Sequence, residues 1–140
     1  MEKISQHPNT FYRVSLKAVI RNSRGEVLVV KEGSSDWSLP GGGWDHGETE
    51  RDCLARELHE EVGYRGTFSF RPIATQPMYM PHKLAWLLWI VYEVTIPDVD
   101  NVSFTVGHDA EEIAWRTPAS FATPAAESER WIYNNLQTIS

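Results

Sequence analysis

The sequence predicts an α+β fold, a mixed sheet with helices packed on it. Three features predict it: strand-like stretches early in the chain, one amphipathic helix after a glycine-rich segment, and a later run, residues 85–92, that is apolar on both faces. A run of that kind belongs at the centre of a sheet. With 140 residues, 41% of them hydrophobic and 23% charged, the chain fits one globular domain over residues 1–140. Disorder, fibrous repeats and a disulfide-stapled miniprotein are disfavoured.

Val14, Leu16, Ala18 and Ile20 alternate with Ser15, Lys17 and Val19, a period of two that predicts a strand, and Asn22-Ser23-Arg24-Gly25 supplies the turn. Residues 27–31 are the returning strand. Residues 32–47, with Pro40-Gly41-Gly42-Gly43 at their centre, are rich in turn formers and predict a loop. A helix over 48–62 follows, because Leu54, Leu58 and Val62 recur every four positions and Gly63 stands where a left-handed cap is needed. Residues 67–75 and 83–94 are strands joined by a proline-bearing connection over 76–81. Residues 104–106 can extend a strand, and 110–115 form a short element of either type. Thr123 and Pro124 suit the start of a last helix, whose apolar face is Trp131, Ile132 and Leu136.

Thirteen basic residues against nineteen acidic ones give a net charge of −6. That balance argues against a nucleic-acid polymer or an anionic membrane as partner, since both are held by clustered Lys and Arg. The acidity is local. Residues 45–61 hold seven acids against Arg51 and Arg56, and the rest of the chain is nearly balanced. The single cysteine, Cys53, cannot form an internal disulfide, and residues 1–10 carry charge and proline where a signal peptide needs an apolar segment. A cytoplasmic setting is expected. The longest apolar run is far short of the roughly 20 residues that cross a bilayer.

Within the helix, Glu57, Glu60 and Glu61 stand three and four positions apart and share one side. At about 100° per residue, Glu61 lies about 20° and Glu57 about 60° from the apolar stripe centred on Leu54, which places both at the edge of the core. Carboxylates at a core boundary need a compensating charge. Arg56 can pair with only one of them, and carboxylate oxygens are the donors that hard divalent ions prefer. A divalent metal site and a solvated acidic face are the two readings these residues allow.

Gly42, five residues, Glu48, seven residues and then Arg56-Glu57-Leu58-His59-Glu60-Glu61-Val62-Gly63 resembles the signature of the Nudix hydrolases. All seven fixed identities are present, a coincidence on the order of 10⁻⁹ for one site if each residue type occurs at its average frequency. Tyr64 departs from the signature, which prefers a bulky aliphatic residue at that last position. The resemblance implies an α/β/α sandwich with a mixed sheet and the signature helix on one side. It implies hydrolysis of a nucleoside diphosphate linked to another moiety, a nucleoside triphosphate, nucleotide sugar, ADP-ribose or dinucleotide.

It further implies Mg²⁺ or Mn²⁺ held by Glu57, Glu60 and Glu61, with Glu48 as an auxiliary ligand and Gly42 against the metal. Gly41, Gly42 and Gly43 lack Cβ atoms and so let the backbone approach metal or phosphate closely. Arg56 would orient a neighbouring carboxylate. The general base is a signature Glu in some members and a carboxylate on a distant loop in others, for which Glu111 and Glu112 are the candidates. Trp37 and Trp44 flank the glycine segment and can line a pocket or pack in the core, and Tyr79 can stack on a base or pack at a loop tip. The expected partner is a small nucleotide-type substrate, and a homodimer is compatible. A catalytically silent nucleotide sensor or docking module is the alternative, and the intact carboxylate set speaks against it.

Overall fold

The computed structural model describes residues 11–33, 36–80 and 84–137; the expectations for residues 1–10, Pro81 and Lys83 lie outside them. Strand β1 (Arg13–Val19) is followed by β2 (Val27–Lys31), β3 (Gly41–Gly43), helix α1 (Glu50–Val62), β4 (Ser69–Met80), β5 (Ala85–Thr95), β6 (Glu112–Arg116) and helix α2 (Glu127–Leu136). Four strands form a mixed sheet in the order β3-β1-β5-β4, in which β1 runs parallel to β5 and the other pairs are antiparallel. Strands β2 and β6 make a second, antiparallel pair.

Alternation along β1 and β5 divides the interior in two. Leu16, Ala18, Tyr92 and Val94 face one core with Cys53, Leu54, Leu58 and Val62 of α1, whereas Val19, Trp89 and Val91 face another with Trp131, Ile132 and Leu136 of α2. A helix therefore covers each face of the sheet. Strand β2 serves both cores, Leu28 and Val30 on one side and Val27 and Val29 on the other, which is why it is apolar at consecutive positions.

Residues 104–106 lie in no strand, and four further expectations change. Gly41–Gly43, read as loop, is an edge strand paired with β1 in the register Leu16↔Gly42, because glycines carry no alternation by which a strand could be recognised. Residues 76–80, read as a connection, continue β4 to Met80. Pro72 and Pro77 are tolerated there because β4 lies at the sheet edge, and a register shift falls between Pro72 and Ala74. Helix α1 starts at Glu50 rather than residue 48, since the Thr49 side chain accepts from the Asp52 N–H at 3.1 Å and takes the N-cap role. Helix α2 starts at Glu127, beyond Thr123 and Pro124. The buried Glu129 carboxylate accepts from the Ala125 N–H and the Trp37 N–H, both at 2.9 Å, and so fixes both the helix start and the segment before Leu39.

Candidate active site

The last carbonyls of an α-helix lack partners within it, and α1 obtains them from two places. Gly63, left-handed at φ 69°, caps it and donates to His59 O, while Tyr64 N–H donates to Leu58 O. The loop before β6 then supplies three more donors: Thr105 N–H to Val62 O, Gly107 N–H to Glu61 O and Asp109 N–H to Glu60 O, each at 3.0 Å. A Cβ on Gly107 would lie 2.1 Å from Glu60 O, so only glycine permits this approach. The docking carries Asp109 and His108 to Glu60, with one ligand atom of each within 4.8 Å of the others. Tyr64, the departure from the signature, packs its ring 5.8 Å from Phe104 and donates to Thr67 O.

On its other side α1 meets β3. Glu61, 1% exposed, accepts from the Gly41 N–H at 2.8 Å. Glu57, 8% exposed, lies so close to Gly42 that a Cβ there would stand 2.7 Å from its Oε1. Both carboxylates thus occupy the core boundary that the helical angles predict. Arg56 binds what surrounds them: Glu48 through Nε and Nη2 at 2.7 and 2.9 Å, Glu57 and Glu60 through Nη1 at 2.8 and 3.3 Å, and Gly43 O through Nη2 at 3.0 Å.

The electrostatics follow burial. Hydrogen bonding by Arg56 holds the Glu48 carboxyl down at about 2. Burial raises Glu57 from its ordinary value against the pull of Arg56. Burial also raises Glu61, well above the usual carboxylate range; the charge of Lys17 opposes the shift and a hydrogen bond to Glu32 adds to it. Burial pushes the Cys53 thiol up to about 12, which leaves it an unreactive packing residue.

A cleft of about 830 Å³ opens at this place, lined by Gly41, Gly42, Gly43, Glu57 and Glu61 together with Arg13, Ser15 and Lys17 of β1. Glu32, Asp36, Asp109 and Glu127 add acidic groups to its wall, and Met78, Tyr79, Leu87 and Trp89 add apolar surface. The structure therefore gathers the three glycines, two of the three helix carboxylates and Tyr79. Glu60 stands beside the cleft at Asp109, and Glu48 spends both oxygens on Arg56 and on the Asp45 N–H.

Trp37 is buried in the α2-side core, and the Trp44 indole donates to Glu48 O and packs against the α1-side core, so neither lines the cleft. Glu111 and Glu112 are exposed outside it, Glu112 pairing with Lys31. Sequence reasoning missed Lys17, Glu32 and Asp109. Only Lys17 had a signal, its place among the polar positions of β1; the others arrive through contacts between distant segments.

The NUDIX domain family matches residues 11–136. An RNA pyrophosphohydrolase of Ruthia magnifica subsp. Calyptogena magnifica is 49% identical over 53 residues, 37% of this chain and 30% of that protein. The RNA pyrophosphohydrolase of Vibrio cholerae serotype O1 is 38% identical over 74 residues, 52% of this chain and 42% of that protein. The matches thus span less than half the length of these curated relatives. Among solved structures, a MutT protein from Methanosarcina mazei Go1 superposes with a TM-score of 0.71 at 21% identity, covering 88% of this chain and 91% of that one. The E. coli dihydroneopterin triphosphate pyrophosphohydrolase gives 0.72 at 17% identity, covering 93% and 100%. Likeness at these identities is a likeness of fold.

Proposed function

The chain belongs to the NUDIX family, and from that premise we propose that it hydrolyses a pyrophosphate bond in a nucleotide-type substrate, a nucleoside diphosphate linked to another group, with Mg²⁺ or Mn²⁺ as cofactor. The observation that carries the reading is the pair Glu57 and Glu61, buried yet open to a cleft and backed by glycine backbone. Burial raises both carboxylates and further acids lie beside them, so a bound cation would favour their ionised forms. The donor set fits a hard divalent ion: the carboxylates of Glu57 and Glu61 supply oxygen from the cleft wall, and Glu60 supplies it beside the cleft, next to His108 and Asp109. Such an ion, when bound, neutralises charge that builds on the phosphate oxygens.

The protein's own groups do the rest. Arg56 fixes Glu57 and Glu60, and the Gly41 N–H fixes Glu61, so the carboxylates need little reorganisation as charge develops. Water attacking phosphorus must lose a proton to a carboxylate in or beside the cleft, and Asp109 joins Glu57, Glu60 and Glu61 as a candidate acceptor. Met78, Tyr79, Leu87 and Trp89 offer the apolar surface on which a base can rest.

A second reading, hydrolysis at an RNA 5′ end, is favoured by the names of the curated relatives. One experiment separates these readings. The protein is incubated with Mg²⁺ or Mn²⁺ and nucleoside triphosphates, nucleotide sugars, ADP-ribose, dinucleoside polyphosphates or a 5′-triphosphorylated oligoribonucleotide, and products are identified by mass spectrometry. Cleavage of a small substrate into a nucleoside monophosphate and a phosphorylated remainder supports the first reading. Cleavage of the RNA alone supports the second, and no product from any of them sinks both and leaves a nucleotide-binding module.

A further inference from the structure

We propose that Lys17 is a substrate-binding residue whose ammonium contacts a phosphate oxygen in the cleft. The inference rests on the pyrophosphatase reading above and names a residue of the same site.

Lys17 is 7% exposed and lines the cleft from β1. Its Nζ donates to Leu39 O at 3.1 Å and to Gly41 O at 3.3 Å and stands 5.2 Å from the centre of the Trp89 ring. An ammonium carries three N–H groups, and these two bonds leave one over. Lysine is almost never buried unless its charge is paired, yet Lys17 makes no ion pair among the described residues. Two carbonyls and a ring face stabilise a cation without neutralising it. A buried cation at the wall of a cleft, with one N–H left over, can receive an anion.

The charge balance of the cleft points the same way. Glu32, Asp36, Glu57, Glu61, Asp109 and Glu127 line it, against two cations, Arg13 and Lys17. Arg13 is more than half exposed and lies 3.6 Å from Asp45, and Arg56 is consumed by Glu48, Glu57 and Glu60. Lys17 is therefore the buried cation on the cleft wall. Its placement relative to the carboxylates is fixed by one peptide unit on each side of Gly41, whose N–H goes to Glu61 and whose carbonyl receives Lys17. Lys17 lines the same cleft as Glu57 and Glu61, so a diphosphate held there would share a wall with its ammonium.

The test is calorimetric binding of imidodiphosphate, a diphosphate that resists hydrolysis, with Mg²⁺ present, for wild type, Lys17→Gln and Lys17→Arg. Glutamine keeps donors for the Leu39 and Gly41 carbonyls and removes the charge; arginine keeps the charge. The expected result is binding weakened roughly tenfold to a hundredfold in Lys17→Gln, the loss of one charge-assisted hydrogen bond, with KM raised more than kcat is lowered. Lys17→Arg is expected to bind within a few-fold of wild type, and Mg²⁺ alone to bind Lys17→Gln at least as well as wild type. Equal binding of imidodiphosphate by wild type and Lys17→Gln would overturn the proposal, as would equal weakening in both variants. The two claims fail separately. Wild type that binds imidodiphosphate through Lys17 but cleaves no substrate refutes the function, whereas active wild type with unaltered Lys17→Gln refutes only the role of Lys17.

Discussion

Arg56 and Glu48, eight residues apart in the chain, meet in a two-pronged ion pair, Nε to Oε2 at 2.7 Å and Nη2 to Oε1 at 2.9 Å. The pair clamps the segment after β3 to the first half of α1, and the same guanidinium reaches Glu57 and Glu60. A lysine offers a point charge and cannot make this fork. Arg56→Lys should lower kcat/KM by about tenfold or more, because Glu57 and Glu60 lose a shared donor. The acid limb of stability should change as well. Glu48, depressed from 4.5 to about 2, contributes stability that is present above 4.5 and lost as pH falls toward 2. The difference in urea midpoint between wild type and Arg56→Lys is expected to shrink over that window, and a constant difference would assign the stability to another group.

Gly41 and Gly42 are adjacent but should respond oppositely to alanine. At Gly41, φ 139°, a Cβ would stand 1.9 Å from the backbone oxygen of Leu16, so Gly41→Ala is expected to break the β1–β3 pairing and cost about 2 kcal/mol or more. At Gly42 the obstacle is the end of the Glu57 side chain, which can rotate away. Gly42→Ala should keep the melting temperature within a few degrees while hydrolysis falls at least tenfold. Circular dichroism melts beside a hydrolysis assay read both effects, and an active Gly42→Ala would remove Glu57 from the site.

Glu61 sets a pH dependence of its own. Its folded-state pKa lies above the ordinary 4.5, so between 4.5 and the raised value the folded protein holds a proton that the unfolded chain has lost. Stability in the metal-free protein therefore falls as pH rises from about 4.5 through neutrality. In EDTA, Glu61→Gln should flatten the part of this slope due to Glu61, visible in melts taken from pH 5 to pH 8. Parallel wild-type and Glu61→Gln curves would show that Glu61 is ionised in the folded state throughout.

The loop contact at Gly107 couples stability to the site. Gly107→Ala would push the loop off Glu60 O, unseating the donors of Gly107 and Asp109, and is expected to cost about 1–3 kcal/mol in urea unfolding. Activity should fall with it, since Asp109 would leave Glu60. Unchanged stability and activity would show that the loop does not hold the helix end.

The α1 half of this site was legible in the sequence because periodicity is a one-dimensional property. The angles around Leu54 put Glu57 and Glu61 at the core edge, and their exposures of 8% and 1% agree. The NUDIX signature likewise implied the sandwich that the sheet and its two helices form. Glycine pairing is illegible in that way, so the sequence predicts a loop where β3 stands. Asp109 reaches the site through backbone hydrogen bonds to α1, and Lys17 through the facing direction of β1, and neither relation is written in local spacing. Glu111 and Glu112 satisfied the pattern of a distant-loop acid, but the strand that begins at Glu112 carries them outside the cleft.

The central claim is that Glu61 belongs to a metal-bearing hydrolytic centre, and the most direct measurement is the hydrolysis rate of Glu61→Gln beside wild type on the same nucleotide substrates with Mg²⁺. The account predicts a loss of about a thousandfold or more with the fold intact by circular dichroism, in line with removal of a major electrostatic contribution to catalysis. Hydrolysis by Glu61→Gln at the wild-type rate would contradict it.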